Sequence, residues 1–341
     1  MTQPKVLVTG ATGFIAKHCI AELVRRGHPV RGTVRNLVRG PDAVRRALAQ
    51  AGADGAGLEF AGADLTREEG WDAAVAGCDY VLHVASPFPM DPPRHADEVV
   101  IPAREGALRV LQAATRAAVK RVVLTSSIVA ISLGSKPKGH VYTEADWSDP
   151  QRRDITAYAV SKTLSERAAW DFVARTPGAP ELTTIAPAFV LGPALDADLS
   201  TSHEVVRLMA RGVYPAAPKV GFPVSDVRDV AATHAIAVTH PRAAGERFIV
   251  AEGLMHLIEL GRIVAEVCPD LRAKIPKFEL PDFVVRAAAM VDRRLKAVLP
   301  DLGHPRLISN AKAREVLGLE FRDPRTAARA AVESLRALKV I

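Results

Sequence analysis

A tyrosine and a lysine, Tyr158 and Lys162, stand four residues apart in the segment YAVSK. On a helix this spacing puts the phenol and the ammonium on one face. A free phenol loses its proton at about pH 10, and a nearby cation, or the positive ring of an oxidised nicotinamide, favours the phenolate and lowers that pKa. We therefore predict that Tyr158 exchanges a proton close to neutral pH. Ser127, at the end of a strand-like run, could hydrogen-bond a substrate oxygen from the other side and polarise it.

A glycine-rich loop, VTGATGFIA at residues 8–16, follows the first strand-like run. Gly10 permits the tight turn after the strand, and Gly13 lets the backbone approach a pyrophosphate at the N-terminus of a helix predicted over residues 14–26. The third small position requires only close contact between helix and strand, which Ala16 satisfies. The sequence therefore predicts a dinucleotide site at the first strand–helix junction, with contacts from Gly10, Thr12, Gly13, Phe14 and Ile15.

The second strand indicates which dinucleotide binds. An NAD site usually has an acid at the end of this strand, because a carboxylate accepts from the ribose hydroxyls and repels a 2′-phosphate. No acid lies between Glu22 and Asp42, and the strand ends instead at Arg35, with Arg39 four residues on. Two guanidinium groups suit a phosphate, so we predict NADPH or NADP+ as the cofactor. In the alternative interpretation, these arginines only form a solvated face.

Later strand ends supply further predicted cofactor contacts. Asp64 and Leu65 follow the third strand and could hold the adenine edge, although Asp64 could equally cap the helix that follows. Small residues after the fourth strand would let the backbone run beneath the pyrophosphate and the nicotinamide ribose, and a threonine ends the fifth strand. This second set of predicted contacts is Val84, Ala85, Ser86 and Thr125.

Alternating strand-like and helical segments must position these groups. The β-branched runs are Val6–Thr9, Val30–Val34, Leu58–Ala61, Tyr80–Val84, Val122–Thr125 and Thr183–Ala186. Between them, apolar residues recur at helical spacing over Ile15–Arg26, Asp42–Ala51, Glu68–Ala76, Asp97–Ala118 and Ala157–Arg175. This repetition predicts an α/β fold, a Rossmann-type doubly wound parallel sheet with ligands at the carboxyl ends of its strands. We expect an NADP-binding domain over residues 1–190, with returns from about 222–252, and a smaller substrate-binding region over residues 191–341.

Composition and charge argue against several other classes of protein. The 341 residues carry a formal net charge of +7, but the arginines are scattered rather than gathered with aromatic residues, so we expect no nucleic acid partner. We find no run of about 18 uncharged apolar residues and no secretion signal, so we expect a cytoplasmic protein without a membrane span.

The three cysteines are predicted to be reduced structural thiols, and no metal site is expected. Four histidines are predicted to be solvated or to cap helices: His83, His203, His234 and His256.

With these motifs in place, the sequence resembles the extended short-chain dehydrogenase/reductases. The branch it resembles contains dihydroflavonol reductases, cinnamoyl-CoA reductases and yeast-type methylglyoxal/carbonyl reductases. The resemblance rests on VTGATGFIA, TVRN, ADL at 63–65, HVASP, LTSS at 124–127, YAVSKTLSERAAW at 158–170, APAFVLGP at 186–193 and SDVRDVAATHA at 225–235. It implies that Ser127, Tyr158 and Lys162 form a catalytic triad, that Lys162 also holds the nicotinamide ribose, and that Pro187 and Val190 border the nicotinamide.

Two positions depart from the pattern of that family. Plant flavonoid reductases often carry an asparagine five residues past the catalytic serine, where it holds the phenolic ring of the substrate. Ser132 stands there in this chain, which argues against a dihydroflavonol specialist. Many extended members carry an asparagine in the helix after the fourth strand. Ala103 stands there in this chain, and members of this branch often lack the asparagine.

The residues expected at the edges of the pocket are mostly apolar, which suits a hydrophobic carbonyl better than a diphosphate. The candidate substrate contacts, each of which could equally belong to the core, are Phe88, Ile128, Ser132, Phe189 and Phe222. We predict an NADPH-dependent reductase of a hydrophobic aldehyde or ketone, acting as a monomer or homodimer. Two alternatives stay open. A sugar-nucleotide epimerase or dehydratase shares the fold and triad but generally retains NAD, and a non-catalytic NADP-sensing regulator typically lacks the Tyr–Lys pair.

Overall fold

A parallel β-sheet lies at the centre of the protein. The computed structural model describes residues 3–86, 95–137, 139–290, 299–303 and 305–341. In chain order its strands are β1 Val6–Val8, β2 Val30–Val34, β3 Glu59–Gly62, β4 Tyr80–His83, β5 Arg121–Thr125, β6 Val141–Tyr142, β7 Glu181–Pro187, β8 Phe189–Leu191, β9 Ala217–Pro218, β10 Gly221–Asp226, β11 Arg247–Val250, β12 Glu252–His256, β13 Glu279–Leu280 and β14 Leu307–Ile308. Among the described residues, seven strands form the large sheet in the order β11-β7-β5-β4-β1-β2-β3, all parallel.

Helices cover both faces of this sheet. In chain order, the α-helices of the described residues, including those that lie beyond the large sheet, are α1 Phe14–Arg25, α2 Gly40–Gln50, α3 Trp71–Val75, α4 Asp97–Arg116, α5 Ala157–Arg175, α6 Thr201–Ala210, α7 Val227–Thr239, α8 Leu257–Val267, α9 Asp282–Ala288, α10 Ala311–Leu317 and α11 Pro324–Ala337. Successive side chains of a strand point to opposite faces, so Val6 and Val8 pack in the core beneath α1 and α7, whereas Leu7 packs in the core beneath α4. The Rossmann-type α/β fold predicted from the alternating pattern is confirmed.

The order of the strands reverses between β1 and β4. From β1 the chain moves outward to β2 and β3, then crosses back to β4 on the other side of β1. In open α/β sheets of this kind, ligands bind in the crevice outside the carboxyl ends of the strands at this switch point. The glycine loop follows β1 and the Ala85 segment follows β4, so the predicted cofactor contacts lie at this crevice.

Beyond Leu191 the chain builds a second apolar core and also returns to the large sheet. Strands β8, β10 and β12 form a small sheet, and the core beside it includes apolar side chains of α6, α8 and α11. Helix α7 packs against α1, and β11 pairs with β7 in parallel. Asp226 caps α7, because its carboxylate accepts a hydrogen bond from the Arg228 N–H at 2.8 Å. Within the described residues, no helix is both long and apolar enough to cross a membrane.

The helix after β3 begins later than the sequence predicts. Residues 68–76 were expected to be helical, but α3 begins at Trp71. Gly70 has a φ of +89°, and a Cβ built on it would lie 2.1 Å from the Gly62 carbonyl oxygen. The chain therefore turns at Gly70 in a conformation that only glycine fits, and the helix starts after that turn.

Candidate active site

The glycine loop is fixed against the strands on either side of β1. Gly10 has a φ of +66°, and a Cβ built on it would lie 2.9 Å from the Cβ of Ala85, so both the backbone conformation and the close approach require glycine. The Thr9 hydroxyl accepts a hydrogen bond from the Ala85 N–H at 3.0 Å. The Gly10 N–H donates to the Thr33 hydroxyl at 2.9 Å. These bonds tie the start of the glycine loop to the segment after β4 and to β2.

Helix α1 begins directly after Gly13, whose exposed backbone leaves the helix N-terminus facing the crevice. The first N–H groups of a helix have no partner within the helix, and such ends attract anions. Thr12 and Ile15 are half-buried beside this end, and Phe14 is buried. Ala16 is 1% exposed in the same apolar core as the valines of β1, which is the helix–strand contact expected of the third small position.

The two arginines predicted to bind phosphate lie on an exposed turn after β2. Arg35 and Arg39 are both exposed, and the Asn36 side-chain oxygen accepts from the Arg39 N–H at 3.1 Å, which closes the turn. Hydrogen bonds from the Thr66 N–H and hydroxyl, and more weakly the charge of Arg35, hold the pKa of Asp64 below its usual range. The turn therefore places Arg35 near the carboxylate that is predicted to mark the adenine position.

Asp64 caps a turn and not the helix that follows. Its Oδ1 accepts from the Thr66 N–H at 2.8 Å and from the Thr66 hydroxyl at 2.7 Å, whereas α3 begins five residues after Thr66. The alternative that Asp64 caps α3 is therefore wrong. The Leu65 carbonyl accepts from Arg109 of α4 at 2.8 Å, and a Cβ built on Gly106 would lie 3.0 Å from the Cβ of Leu65. Leu65 thus packs toward α4, beside the adenine position that the sequence predicts.

The segment after β4 contributes half-buried small residues to the crevice, Val84, Ala85 and Ser86. Ala85 makes the close approach to the glycine loop, and Ser86 lines a small cavity next to Lys162. The candidate substrate contact Phe88 lies outside the described residues.

Ser127, Tyr158 and Lys162 converge at the carboxyl end of β5. Thr156 caps α5, so Tyr158 lies in the first turn of this helix and Lys162 one turn later. The Ser127 and Tyr158 hydroxyls are hydrogen-bonded to each other. The Lys162 ammonium donates to the Thr125 carbonyl at 3.1 Å. The structure thus brings a phenol, a hydroxyl and an ammonium to one point at the edge of the sheet, as proton transfer to a carbonyl oxygen requires.

The pKa values of this group differ in part from the prediction. Burial raises the pKa of Tyr158, and the hydrogen bond with Ser127 opposes that change. Burial lowers the pKa of Lys162 to about 8, and the negative charge of Glu166 opposes this. The prediction that a neighbouring cation lowers the pKa of Tyr158 is therefore wrong for the protein itself, because desolvation of the phenol dominates and Lys162 donates to the Thr125 carbonyl.

Thr125 directs its hydroxyl away from the crevice. His234 Nδ1 lies 2.8 Å from the Val230 carbonyl oxygen, which can only accept, so Nδ1 carries the proton. In the neutral ring, Nε2 must then accept from the Thr125 hydroxyl, 2.8 Å away. Thr125 therefore offers the site its carbonyl oxygen, which holds Lys162, while its side chain secures β5 to α7.

The prediction that four histidines are solvated or capping is wrong for three of them. His83, His203 and His234 are each at most 3% exposed, and burial lowers the pKa of each ring. His203 Nε2 donates to the Gly192 carbonyl at 2.9 Å, so the ring finds its partner inside the protein. His256 precedes α8 at the N-cap position and keeps 39% of its side chain exposed. Among the described residues, no group of three histidine, cysteine, aspartate or glutamate side chains could hold a metal ion.

Two of the candidate substrate contacts stack on each other. The rings of Phe189 and Phe222 lie 5.3 Å apart with planes 24° from parallel, because β8 and β10 pair side by side. Val190 is buried beside Phe189, and Pro187 is buried at the end of β7. The Ser127 hydroxyl lies 3.5 Å from the Pro187 carbonyl oxygen, so Pro187, one of the two residues predicted to border the nicotinamide, adjoins Ser127.

The other described candidates lie in a separate place. Ile128 packs in an apolar cluster with Tyr142, Ala186 and Ile249, apart from the cores that hold Phe189 and Phe222. Ser132 is 2% exposed, and its hydroxyl is shielded from solvent without a hydrogen-bond partner in the described part of the chain. The structure therefore does not bring Ser132 into contact with the Phe189–Phe222 pair, and a substrate role for it stays a prediction.

A buried polar network beside the triad is not apparent from local sequence patterns. Glu166, 1% exposed, accepts from the Ser126 hydroxyl at 2.5 Å and forms an ion pair with Arg247 at 2.8 Å. The Arg247 guanidinium also lies over the Trp147 ring, 3.8 Å from its centroid. Arg247 is 81 residues from Glu166 in sequence, so only the tertiary fold pairs them. The one signal in the sequence is that Glu166 stands four residues after Lys162.

Comparison with known proteins places this site in a family. Residues 6–251, which include the glycine loop, Arg35 and the triad, match the family model described as the NAD dependent epimerase/dehydratase family. The chain belongs to this family. Membership confirms the resemblance to the extended short-chain dehydrogenase/reductases. Residues 252–341, which include α8 and α11, lie outside the match.

Several relatives of this epimerase/dehydratase family member have names that refer to reduction. The chain is 36% identical to cinnamoyl-CoA reductase CAD2 of Medicago truncatula over 274 residues, which are 78% of this chain and 82% of the relative. It is 32% identical to the ketoreductase azaE of Aspergillus niger, covering 97% of both chains. The solved structure of yeast methylglyoxal/isovaleraldehyde reductase Gre2 complexed with NADPH is 25% identical, with a TM-score of 0.80 over 99% of this chain and 100% of that one.

Proposed function

We propose that this protein is an NADPH-dependent reductase that converts a hydrophobic aldehyde or ketone to the alcohol. The observation that carries the proposal is the meeting of Ser127, Tyr158 and Lys162 at the carboxyl edge of the sheet. The names of the cinnamoyl-CoA reductase and ketoreductase relatives agree with a carbonyl substrate, and the NADPH in the yeast structure agrees with the cofactor.

The residues around the crevice fit NADPH. A side chain on Gly10 would clash with Ala85, so the loop keeps its tight turn only with glycine, and the N-terminus of α1 supplies N–H donors to the oxygens of a pyrophosphate. Arg35 and Arg39 are exposed where a 2′-phosphate would lie, and β2 ends without an acid that would repel it. Lys162 would hold the nicotinamide ribose, and Pro187 and Val190 would border the nicotinamide. When bound, NADPH supplies a hydride to the carbonyl carbon.

Each member of the triad has a separate task in this proposal. The Ser127 hydroxyl donates to the substrate oxygen and polarises the carbonyl bond. The Tyr158 phenol transfers its proton to that oxygen as the carbonyl carbon is reduced, so C=O becomes CH–OH and a phenolate remains. The charged Lys162 stabilises that phenolate. Because the pKa of Lys162 is about 8, most molecules carry the charge at neutral pH.

The apolar surface beside the triad favours a hydrophobic substrate. Phe189 and Phe222 present a stacked pair of apolar rings. A diphosphate would lose hydration against these rings, which is costly. A moderately hydrophobic carbonyl compound gains by burying its apolar part there.

The experiment is a screen of aromatic and aliphatic aldehydes, ketones and β-ketoesters, following the loss of NADPH absorbance and identifying products by mass spectrometry. We expect NADPH consumption matched by alcohol formation for at least one hydrophobic carbonyl. Tight NADPH binding with no turnover of any carbonyl would favour the sensor. Conversion of a sugar nucleotide without net NADPH consumption would favour the epimerase or dehydratase.

A further inference from the structure

Glu166 lies on the same side of α5 as the catalytic pair, one turn beyond Lys162 and two turns beyond Tyr158. Its side chain is 1% exposed, and both carboxylate oxygens accept hydrogen bonds. Oε1 accepts from the Thr184 hydroxyl and from Arg247 Nε, each at 2.8 Å, and Oε2 accepts from the Ser126 hydroxyl at 2.5 Å. Hydrogen bonds and an ion pair of this kind hold a buried carboxylate in one place.

Ser126 connects this carboxylate to the catalytic strand end. Side chains alternate along β5 and its extension, so the Ser126 side chain points to Glu166. The residues on either side of Ser126, which are Thr125 and Ser127, contact Lys162 and Tyr158. The Thr125 carbonyl holds the Lys162 ammonium, and the Ser127 hydroxyl bonds the Tyr158 phenol. One hydrogen bond from Ser126 to Glu166 therefore fixes the backbone between the two groups that contact the catalytic pair.

A small cavity, about the size of one water molecule, separates Lys162 from Glu166. Among its lining residues, Lys162 and Glu166 are the two charged side chains. His83 contributes a neutral ring from β4, because burial lowers its pKa to about 3, and α4 contributes Ala103. Arg247, which pairs with Glu166, does not line the cavity. Lys162 and Glu166 are both buried, so the attraction between the carboxylate and the ammonium is screened less than it would be in water.

We propose that Glu166 is a positioning residue of this site: its carboxylate keeps Lys162 charged across the cavity and, through Ser126, fixes the strand end that presents Ser127 and the Thr125 carbonyl. The inference rests on the proposed function, in which the charged lysine stabilises the Tyr158 phenolate. Burial alone would favour a neutral lysine, and Glu166 opposes that effect. Its removal would therefore leave Lys162 partly uncharged at neutral pH.

The first test measures the lysine directly, without substrate. The titration of Lys162 is followed by NMR of its 13Cε resonance, assigned by comparison with Lys162→Arg. In Glu166→Gln, which keeps the shape but loses the charge, we expect the pKa of Lys162 to fall by about one pH unit. Glu166→Asp keeps the charge and should restore most of the wild-type value. Asp171→Asn removes an exposed acid from the same helix and should leave the titration unchanged.

The second test is the pH dependence of kcat/KM with any carbonyl that the wild type reduces. In Glu166→Gln, the alkaline limb should move to lower pH by about one unit, while Glu166→Asp and Asp171→Asn keep it in place. A purely structural role would lower stability without moving this limb. If Arg247, left without its partner, prevents folding, the double variant Glu166→Gln with Arg247→Gln is compared with Arg247→Gln, so that only the charge at position 166 differs.

The outcomes separate this inference from the proposed function. An unchanged Lys162 titration in a folded Glu166→Gln variant, or in the double variant relative to Arg247→Gln, overturns the role of Glu166, even if the wild type is an active reductase. A wild type that reduces no carbonyl overturns the proposed function, and the NMR titration still decides whether Glu166 keeps Lys162 charged.

Discussion

The Thr125 hydroxyl donates to His234 Nε2 at 2.8 Å, which is possible only while that ring is neutral. Because His234 Nδ1 already donates to the Val230 carbonyl, a second ring proton would put two donors face to face inside the protein. The strand that ends at Thr125, just before Ser127, is therefore secured to α7 by a bond that acid breaks.

Acid should weaken folding through this histidine. Burial lowers the pKa of His234 from 6.5 to about 4, so between these values the unfolded chain binds a proton that the folded protein does not. The free energy of unfolding should consequently fall as pH decreases from about 6.5 to about 4, by at most about 1.4 kcal/mol per pH unit for this one residue. Urea unfolding from pH 7.5 to 4.5 measures the dependence.

The control for that measurement is the difference between variants, because other groups titrate as well. His18 and His83, whose pKa values are lowered to about 4 and about 3, act in the same direction, whereas burial raises the pKa of Glu144 and Asp301, which act in the opposite direction. His234→Gln should flatten the pH dependence, and His256→Gln, at a half-exposed position, should not. Equal slopes for wild type and His234→Gln would contradict the prediction.

Removing Arg35 should reduce the preference for NADPH. Arg35 is exposed at the end of β2, where charge-assisted hydrogen bonds to a 2′-phosphate would form. Arg35→Ala should lose about 1.5–3 kcal/mol of NADPH binding, roughly ten- to a hundredfold in affinity, with little change for NADH. Fluorescence titration with both cofactors checks this, and Arg46→Ala, an exposed arginine on α2, is the control. Equal binding of NADH and NADPH by the wild type would contradict the assigned role.

Ala16 should affect stability more than cofactor binding. It is buried at the contact of α1 with the sheet, one turn into the helix. Ala16→Gly should lower the free energy of unfolding by about 0.5–1 kcal/mol, because glycine loses more backbone entropy in a helix, and NADPH affinity should stay close to wild type. Denaturant unfolding and cofactor titration measure the two effects. A tenfold gain in NADPH affinity would mean that this residue lies against the phosphates.

Tyr158→Phe should abolish reduction while preserving cofactor binding. Phenylalanine keeps the ring but removes the hydroxyl that bonds Ser127 and is proposed to supply the proton. We expect kcat to fall by roughly a hundredfold or more, with NADPH affinity nearly intact. Lys162→Ala should lower both kcat and NADPH affinity, since the Lys162 ammonium is proposed to stabilise the phenolate and to hold the ribose. Wild-type rates in Tyr158→Phe would show that another group is the acid.

Local patterns predicted the elements well where propensity and packing agree. β2 over Val30–Val34 and α5 over Ala157–Arg175 have the predicted bounds, because a β-branched run and a helix that starts at a threonine cap are each read within one segment. The start of α3 was missed, since it depends on how close Gly70 lies to the Gly62 carbonyl. That approach is set by the packing of separate segments, which no single stretch of sequence contains.

The candidate site divides in the same way. The sequence alone predicts that three groups lie close together, from the spacing of Tyr158 and Lys162 and the position of Ser127. The direction of the Thr125 hydroxyl, the burial of His83 and His234, and the pairing of Glu166 with Arg247 all depend on contacts between residues far apart in the chain. Whether a polar side chain faces water or a buried partner is decided by those contacts and not by its neighbours in sequence.

The late return of α7 and β11 to the large sheet has a consequence for biosynthesis. While the ribosome has made only the first half of the chain, the face of α1 that carries Cys19 and Leu23 lacks its neighbour α7, and the edge of β7 has no partner strand. Unpaired strand edges and exposed apolar faces of this kind invite aggregation. We therefore expect the nascent chain to need protection until Val250 emerges, although every residue predicted to contact the cofactor has been synthesised by Val190.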